Sequence, residues 1–114
     1  MPEDESPADL FALLNDEYAR AILAETSQQP MSAPALAEAC DASRPTIYRR
    51  VDRLKDHDLI SEMTTPDQDG HHRRLYVARF QGLSVDLDDG TYRISVERRE
   101  DPADRFTDMW EAIR

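Results

Sequence analysis

Apolar residues return at the three-to-four-residue spacing of helices through the first half of the chain, and at the two-residue spacing of strands through most of the second. Ser6-Pro7-Ala8-Asp9 has the chemistry of a helix start: Ser at the cap, Pro at the first helical position, an acid at the third. Leu10, Phe11, Leu13 and Leu14 then predict a short, strongly apolar helix. Asn15 reads as a second cap, with Asp16 and Glu17 beside the positive helix end. Tyr18, Ala19, Ile22, Leu23 and Thr26 carry that second helix to about Ser27, and Pro30 marks a loop.

Residues 32–79 form the stretch around which the chain is organised. Ser32 caps a helix whose first turn tolerates Pro34 and whose inner face is Leu36, Ala37 and Cys40. A tight turn follows over 41–43. Helix-turn-helix units often place a small residue four positions before the turn's Gly and an aliphatic one six positions after it; Ala37, Asp41 and Ile47 occupy those places. Asp replaces Gly at the turn, and Asp tolerates positive φ better than most residues. Ser43 caps a helix over 44–57 with Ile47, Val51 and Leu54 on one face. Pro45, Thr46, Arg49, Asp52, Arg53 and Asp56 lie opposite, and Asp58 stands where a C-terminal Gly is expected. Strands over 59–65 and 73–79 flank a polar tip at 66–70. Tyr76, Ala78 and Phe80 alternate with Leu75, Val77 and Arg79, and alternation alone leaves open which set is buried. Helix, tight turn, helix, hairpin is the order of a winged helix-turn-helix.

Asp89-Gly90 signals a two-residue turn in a second hairpin. Folding there pairs Leu87 with Tyr92, Val85 with Ile94 and Leu83 with Val96 on one face, and Ser84 with Ser95 and Asp86 with Arg93 on the other. One register satisfies both faces. Asp101-Pro102-Ala103-Asp104 repeats the opening cap signal, and Phe106, Met109, Trp110 and Ile113 predict an apolar stripe on a last helix. The expected fold is α+β in a single domain, 1–114. Its winged helix-turn-helix core is 6–80; residues 81–114 supply a hairpin and a C-terminal dimerisation helix.

The 114 residues carry a formal net charge of −10, and their 14 cations are 13 Arg and Lys55. An acid-rich, Lys-poor composition is similar to that of proteins from salt-accumulating halophiles. Raising salt from roughly 0.1 M to roughly 1 M shortens the Debye length from about 10 Å to about 3 Å, so such a surface repels itself less in brine. Phosphate contacts nevertheless need cations. Residues 43–79 carry a net charge of +2 and the rest −12, so the positive excess sits in the second helix of the helix-turn-helix and the hairpin after it. One cysteine excludes an intrachain disulfide and a multi-Cys zinc cage. No apolar run approaches a membrane span and no signal peptide opens the chain, so a cytoplasmic protein is expected.

Several runs carry a resemblance: Leu36-Ala37-Glu38-Ala39-Cys40-Asp41-Ala42-Ser43, Thr46-Ile47-Tyr48-Arg49-Arg50-Val51-Asp52-Arg53-Leu54 and Asp69-Gly70-His71-His72. Asn15-Asp16-Glu17-Tyr18-Ala19-Arg20 joins them. The chain resembles winged-helix regulators of the ArsR type, most closely the ArsR-like regulators of halophilic archaea, over roughly residues 10–80. The resemblance implies a homodimer on a pseudo-palindromic DNA site. Metal-sensing members carry a Cys-x-Cys pair where this chain has Ala39-Cys40, a departure from their thiolate route.

The expected DNA-binding residues are Ser43, Arg44, Pro45, Thr46, Tyr48, Arg49 and Arg53 on the second helix of the unit, and His71, His72, Arg73 and Arg74 on the wing, 60–79. Arg suits guanine edges and phosphates, and Thr suits phosphate or a thymine methyl. The competing reading is a solvated face on which Arg49 and Arg53 pair with Asp52 and Asp56. The expected dimer interface is Leu10, Phe11 and Leu14 against Phe106, Met109, Trp110 and Ile113. His71 and His72 near Asp67 and Asp69 lack a complete metal-ligand set, and Cys40 fits a small core residue more readily than an oxidant sensor. No Gly-rich phosphate loop, nucleophile elbow or zincin motif occurs, so an enzyme is not expected, nor a cofactor, and no small-molecule effector is identifiable. The partner expected is double-stranded DNA. The alternative is a winged-helix protein-interaction module in a transcription complex, which would expose apolar residues where Arg49 and Arg53 stand.

Overall fold

A computed structural model describes residues 6–66, 70 and 72–100. The expected C-terminal helix, with Phe106, Met109, Trp110 and Ile113, lies outside the described residues, as do Asp67, Asp69 and His71. Four helices come first: α1 Pro7–Asn15, α2 Glu17–Gln28, α3 Ala33–Ala39 and α4 Arg44–Asp56. Two antiparallel hairpins follow, β1 Ile60–Pro66 with β2 His72–Ala78, and β3 Phe80–Asp88 with β4 Thr91–Arg98. The architecture is α+β, a helix-turn-helix core followed by a hairpin wing.

Each helix starts on a side-chain oxygen that accepts an otherwise orphaned backbone N–H: Ser6 from Asp9, Ser32 from Ala35, Ser43 from Thr46. At α2 the capping residue is Asp16, whose Oδ1 accepts from Ala19 N at 2.9 Å. Asn15, the expected cap, is instead the last residue of α1. Both residue types cap well, and the extent of α1's last turn decides between them.

The two helices of the central unit end in the same way. Ala42 N donates to Ala37 O at 2.9 Å around Asp41, and Leu59 N donates to Leu54 O at 2.9 Å around Asp58. These are Schellman closures, which need a left-handed residue next to the helix end. Asp41 and Asp58 supply it at φ 52° and 56°. The first closure makes the tight turn between α3 and α4. The second turns the chain out of α4 directly into the wing.

The core gathers one stripe from each helix: Leu10 and Leu13, Ala19, Ile22 and Leu23, Ala33 and Leu36, and Ile47, Val51 and Leu54. Leu59, Ile60, Tyr76 and Ala78 close it from the wing side. Buried Thr26 donates its hydroxyl to Ile22 O at 2.7 Å, so its polar atom is satisfied. Tyr76 and Ala78 are thus the inward set left open by alternation. Met31 exchanges both backbone hydrogen bonds with Tyr76, at 2.8 and 3.1 Å, and pins β2 to the α2–α3 loop. Leu10 is a correction to the expected dimer interface. It is fully enclosed by the chain's own core, whereas Phe11 is exposed and Leu14 half-buried.

The second hairpin has the expected register, Leu87 opposite Tyr92, Val85 opposite Ile94 and Leu83 opposite Val96. Asp89 and Gly90 both take positive φ, 53° and 77°, as a two-residue turn of this hand requires.

Candidate nucleic-acid interface

The inward stripe of α4 is consumed by the core, which leaves its other side to solvent. Arg44, Pro45, Tyr48, Arg49 and Arg53 are exposed there, with Thr46 half-buried among them. Ser43 serves the helix rather than standing free: its Oγ accepts from Thr46 N at 3.3 Å and lies 3.0 Å from Thr46 Oγ1. Arg49 reaches back to Thr46 Oγ1 at 3.4 Å. Among the described residues, none of Arg44, Arg49 and Arg53 has a carboxylate within ion-pair distance, so the competing reading's pairs of Arg49 and Arg53 with Asp52 and Asp56 are not formed there.

Arg50 belongs to the scaffold. Its Nε lies 2.7 Å from Asp16 Oδ2 and its guanidinium stands 5.9 Å from the centre of the Tyr18 ring. This strut fixes α4 against the start of α2. Burial works to raise the Asp16 pKa, but the Ala19 N–H and Arg50 outweigh it and hold the carboxyl below its ordinary value.

On the wing, Arg73 and Arg74 are both exposed but point to opposite faces, as successive strand residues must. Arg74 shares the face of Tyr76, Glu62 and Ile60, which looks toward the core and α4. Its Nε lies 3.2 Å from Glu62 Oε2. Hydrogen bonding to Tyr76 and the charge of Glu62 raise its pKa. His72 is exposed at the start of β2. Between wing and helices runs an open cleft of about 480 Å³, lined by Ser32 at the cap of α3, Pro34 of α3, Tyr48 of α4, and His72, Arg73, Arg74 and Tyr76 of β2. The fold therefore brings together Tyr48, His72, Arg73 and Arg74, which the sequence holds two dozen residues apart. Ser32 and Pro34 were missed as lining residues; they read only as a helix start, and nothing local says what that start faces.

Residues 13–62 match a family model described as a helix-turn-helix domain. Among solved structures, the chain is similar to an ArsR-like transcriptional regulator from Rhodococcus sp. RHA1, at 28% identity and a TM-score of 0.54. That match covers 62% of this chain and 61% of the other. The chain has the winged helix-turn-helix architecture. NolR from Sinorhizobium fredii shares the fold at 20% identity and a TM-score of 0.52, over 62% of this chain and 66% of its own. The chain thus spans less than two thirds of the length of either of these solved structures. No curated protein matches it significantly. No helix among its described residues is long and apolar enough to cross a membrane.

Proposed function

We propose that this protein is a sequence-specific DNA-binding transcriptional regulator of the ArsR type. It acts as a homodimer on a pseudo-palindromic site, with α4 in the major groove and the wing along the flanking backbone. The observation that carries the reading is the exposed Arg44, Arg49 and Arg53 face, without acid partners among the described residues, on a helix whose other side is locked into the core. Arg49 and Arg53 read base edges, Arg44 and Arg73 hold phosphate, and Thr46 and Tyr48 fill the groove between them. Phe11 and Leu14, with Phe106, Met109, Trp110 and Ile113 of the segment beyond residue 100, join the two copies. The net charge of −10 suits a salt-rich cytoplasm, where screening lets an acidic body approach phosphate. It is not an enzyme, a reading supported by its likeness to a regulator.

The test is binding to the DNA upstream of its own gene at molar KCl, with light scattering expected to give twice the mass of one chain. Arg49→Ala is expected to lose about 1–3 kcal/mol of specific binding. Full binding by that variant would put the reading face elsewhere.

A further inference from the structure

Glu62 is an acid in a place that DNA binding would leave to cations. It stands on β1 in the row that faces α4, opposite Tyr76 and diagonal to Arg74. Its Oε1 lies 2.9 Å from Lys55 Nζ on the last turn of α4, and its Oε2 lies 3.2 Å from Arg74 Nε on β2. One carboxylate therefore joins the end of the reading helix, the first wing strand and the second. Its side chain is 26% exposed, against 42% for Lys55 and 62% for Arg74, so solvent meets the cations before the acid. The hydrogen bond to Glu62, more than any other neighbour, raises the Lys55 pKa. Arg44, Arg49, Arg53 and Arg73 have no such acid partner among the described residues.

We propose that Glu62 is a built-in competitor for DNA phosphate, and that it makes binding more selective by occupying Lys55 and Arg74. The proposal rests on the DNA-binding reading above. A phosphodiester and a carboxylate each carry one negative charge, and both accept from guanidinium and ammonium groups. Ion pairs this exposed are weak, so Glu62 does not lock the two cations away. Phosphate wins them only by displacing Glu62 or by tolerating a second anion beside it. The contact then releases less counterion than one made by a cation such as Arg73, which has no acid partner among the described residues. Non-specific binding consists almost wholly of phosphate contacts, whereas specific binding keeps its base contacts. An internal anion on the wing therefore weakens the first more than the second. It also divides the wing arginines: Arg73 is available to phosphate, and Arg74 is held toward α4.

The experiment compares wild type with Glu62→Gln, which keeps shape and removes charge. Affinity for a random-sequence 30-base-pair duplex and for the protein's own upstream DNA is measured against KCl, wherever circular dichroism shows a folded protein. Glu62→Gln is expected to bind the random duplex several-fold tighter at the lowest salt. Its plot of log K against log[KCl] should be steeper by about one to two, near 0.9 for each phosphate gained. The preference for the upstream DNA should fall. Slopes and preference identical to wild type would overturn the role of Glu62 alone. Wild type binding neither duplex at any salt would overturn the DNA reading itself. Should Glu62→Gln not fold, Arg73→Gln and Arg74→Gln decide: the proposal requires Arg73→Gln to flatten the slope more, and equal flattening refutes it.

Discussion

The two hairpins are made of strands of similar length, and the chain treats them differently. In the wing, the apolar positions lie at the base. Tyr76 is only 2% exposed, Ala78 and Ile60 are buried with it, and Met31 adds a backbone bridge along the edge of β2. In the second hairpin the apolar face runs the full length. Only its lower part, Leu83, Ile94 and Val96, is half-buried, while Leu87 and Tyr92 near the turn are 64% and 58% exposed. Register sets which side chains share a face. Distance from the helical core sets whether anything among the described residues covers that face. The wing is an extension of the core that ends in a polar tip; the second hairpin is attached at its base and projects.

The comparison is broken most directly by truncating one tyrosine in each hairpin. Tyr76→Ala removes a buried ring from the core and is expected to cost about 3–5 kcal/mol of stability. Tyr92→Ala, at an exposed position, is expected to stay within about 0.5 kcal/mol of wild type. Denaturant unfolding at fixed high salt measures both, and equal losses would mean that the outer face of the second hairpin is covered after all.

A smaller effect is expected where the second hairpin meets α4. Arg98 at the end of β4 donates to His57 O at 2.8 Å and to Asp58 O at 3.2 Å, beside the negative end of α4. Arg98→Ala should cost about 1–2 kcal/mol, toward the low end of the roughly 1.5–3 kcal/mol of hydrogen bonds to charged groups because the site is partly exposed. Faster amide exchange at Leu59, next to those carbonyls, would show that the hairpin braces the helix end. Unchanged exchange would separate the hairpin from α4.

The smallest effect concerns the brace at the other side of α4. Asp16 has a folded pKa below its ordinary value of 3.8, so its contribution is present above that pH and is lost as pH falls through the lower, folded value. Asp16→Asn keeps a competent cap and loses only the charge facing Arg50. It should lower stability at neutral pH by about 1 kcal/mol or less. It should also flatten the fall in stability below pH 4. A variant with the same acid dependence as wild type would remove Asp16 from the account of α4's position.

Local chemistry made much of this protein legible in the sequence. Ser6, Ser32 and Ser43 announce helix starts because a short side-chain oxygen in the right place satisfies an N–H within three residues. Asp41 and Asp58 stand where left-handed backbone is needed, and both adopt it. Asp89-Gly90 determines the hairpin register, since a two-residue turn leaves one pairing that keeps both faces consistent. The helical unit and the exposed Arg face of α4 follow from periodicity alone.

Only the tertiary structure decided which groups meet across the chain. Sequence spacing places Arg73 and Arg74 together on the wing, but strand alternation turns one away from α4 and the other onto Glu62. Nothing near Arg98 in sequence points to the end of a helix 40 residues earlier. Leu10 looked as free as Phe11 on a short apolar helix until the core enclosed one and left the other outside. Caps, turns and registers are settled within a few bonds, where the chain has few alternatives. Ion pairs between elements and the cover over an apolar face depend on how whole helices and strands pack, and that is set by the summed burial of the core rather than by any one residue.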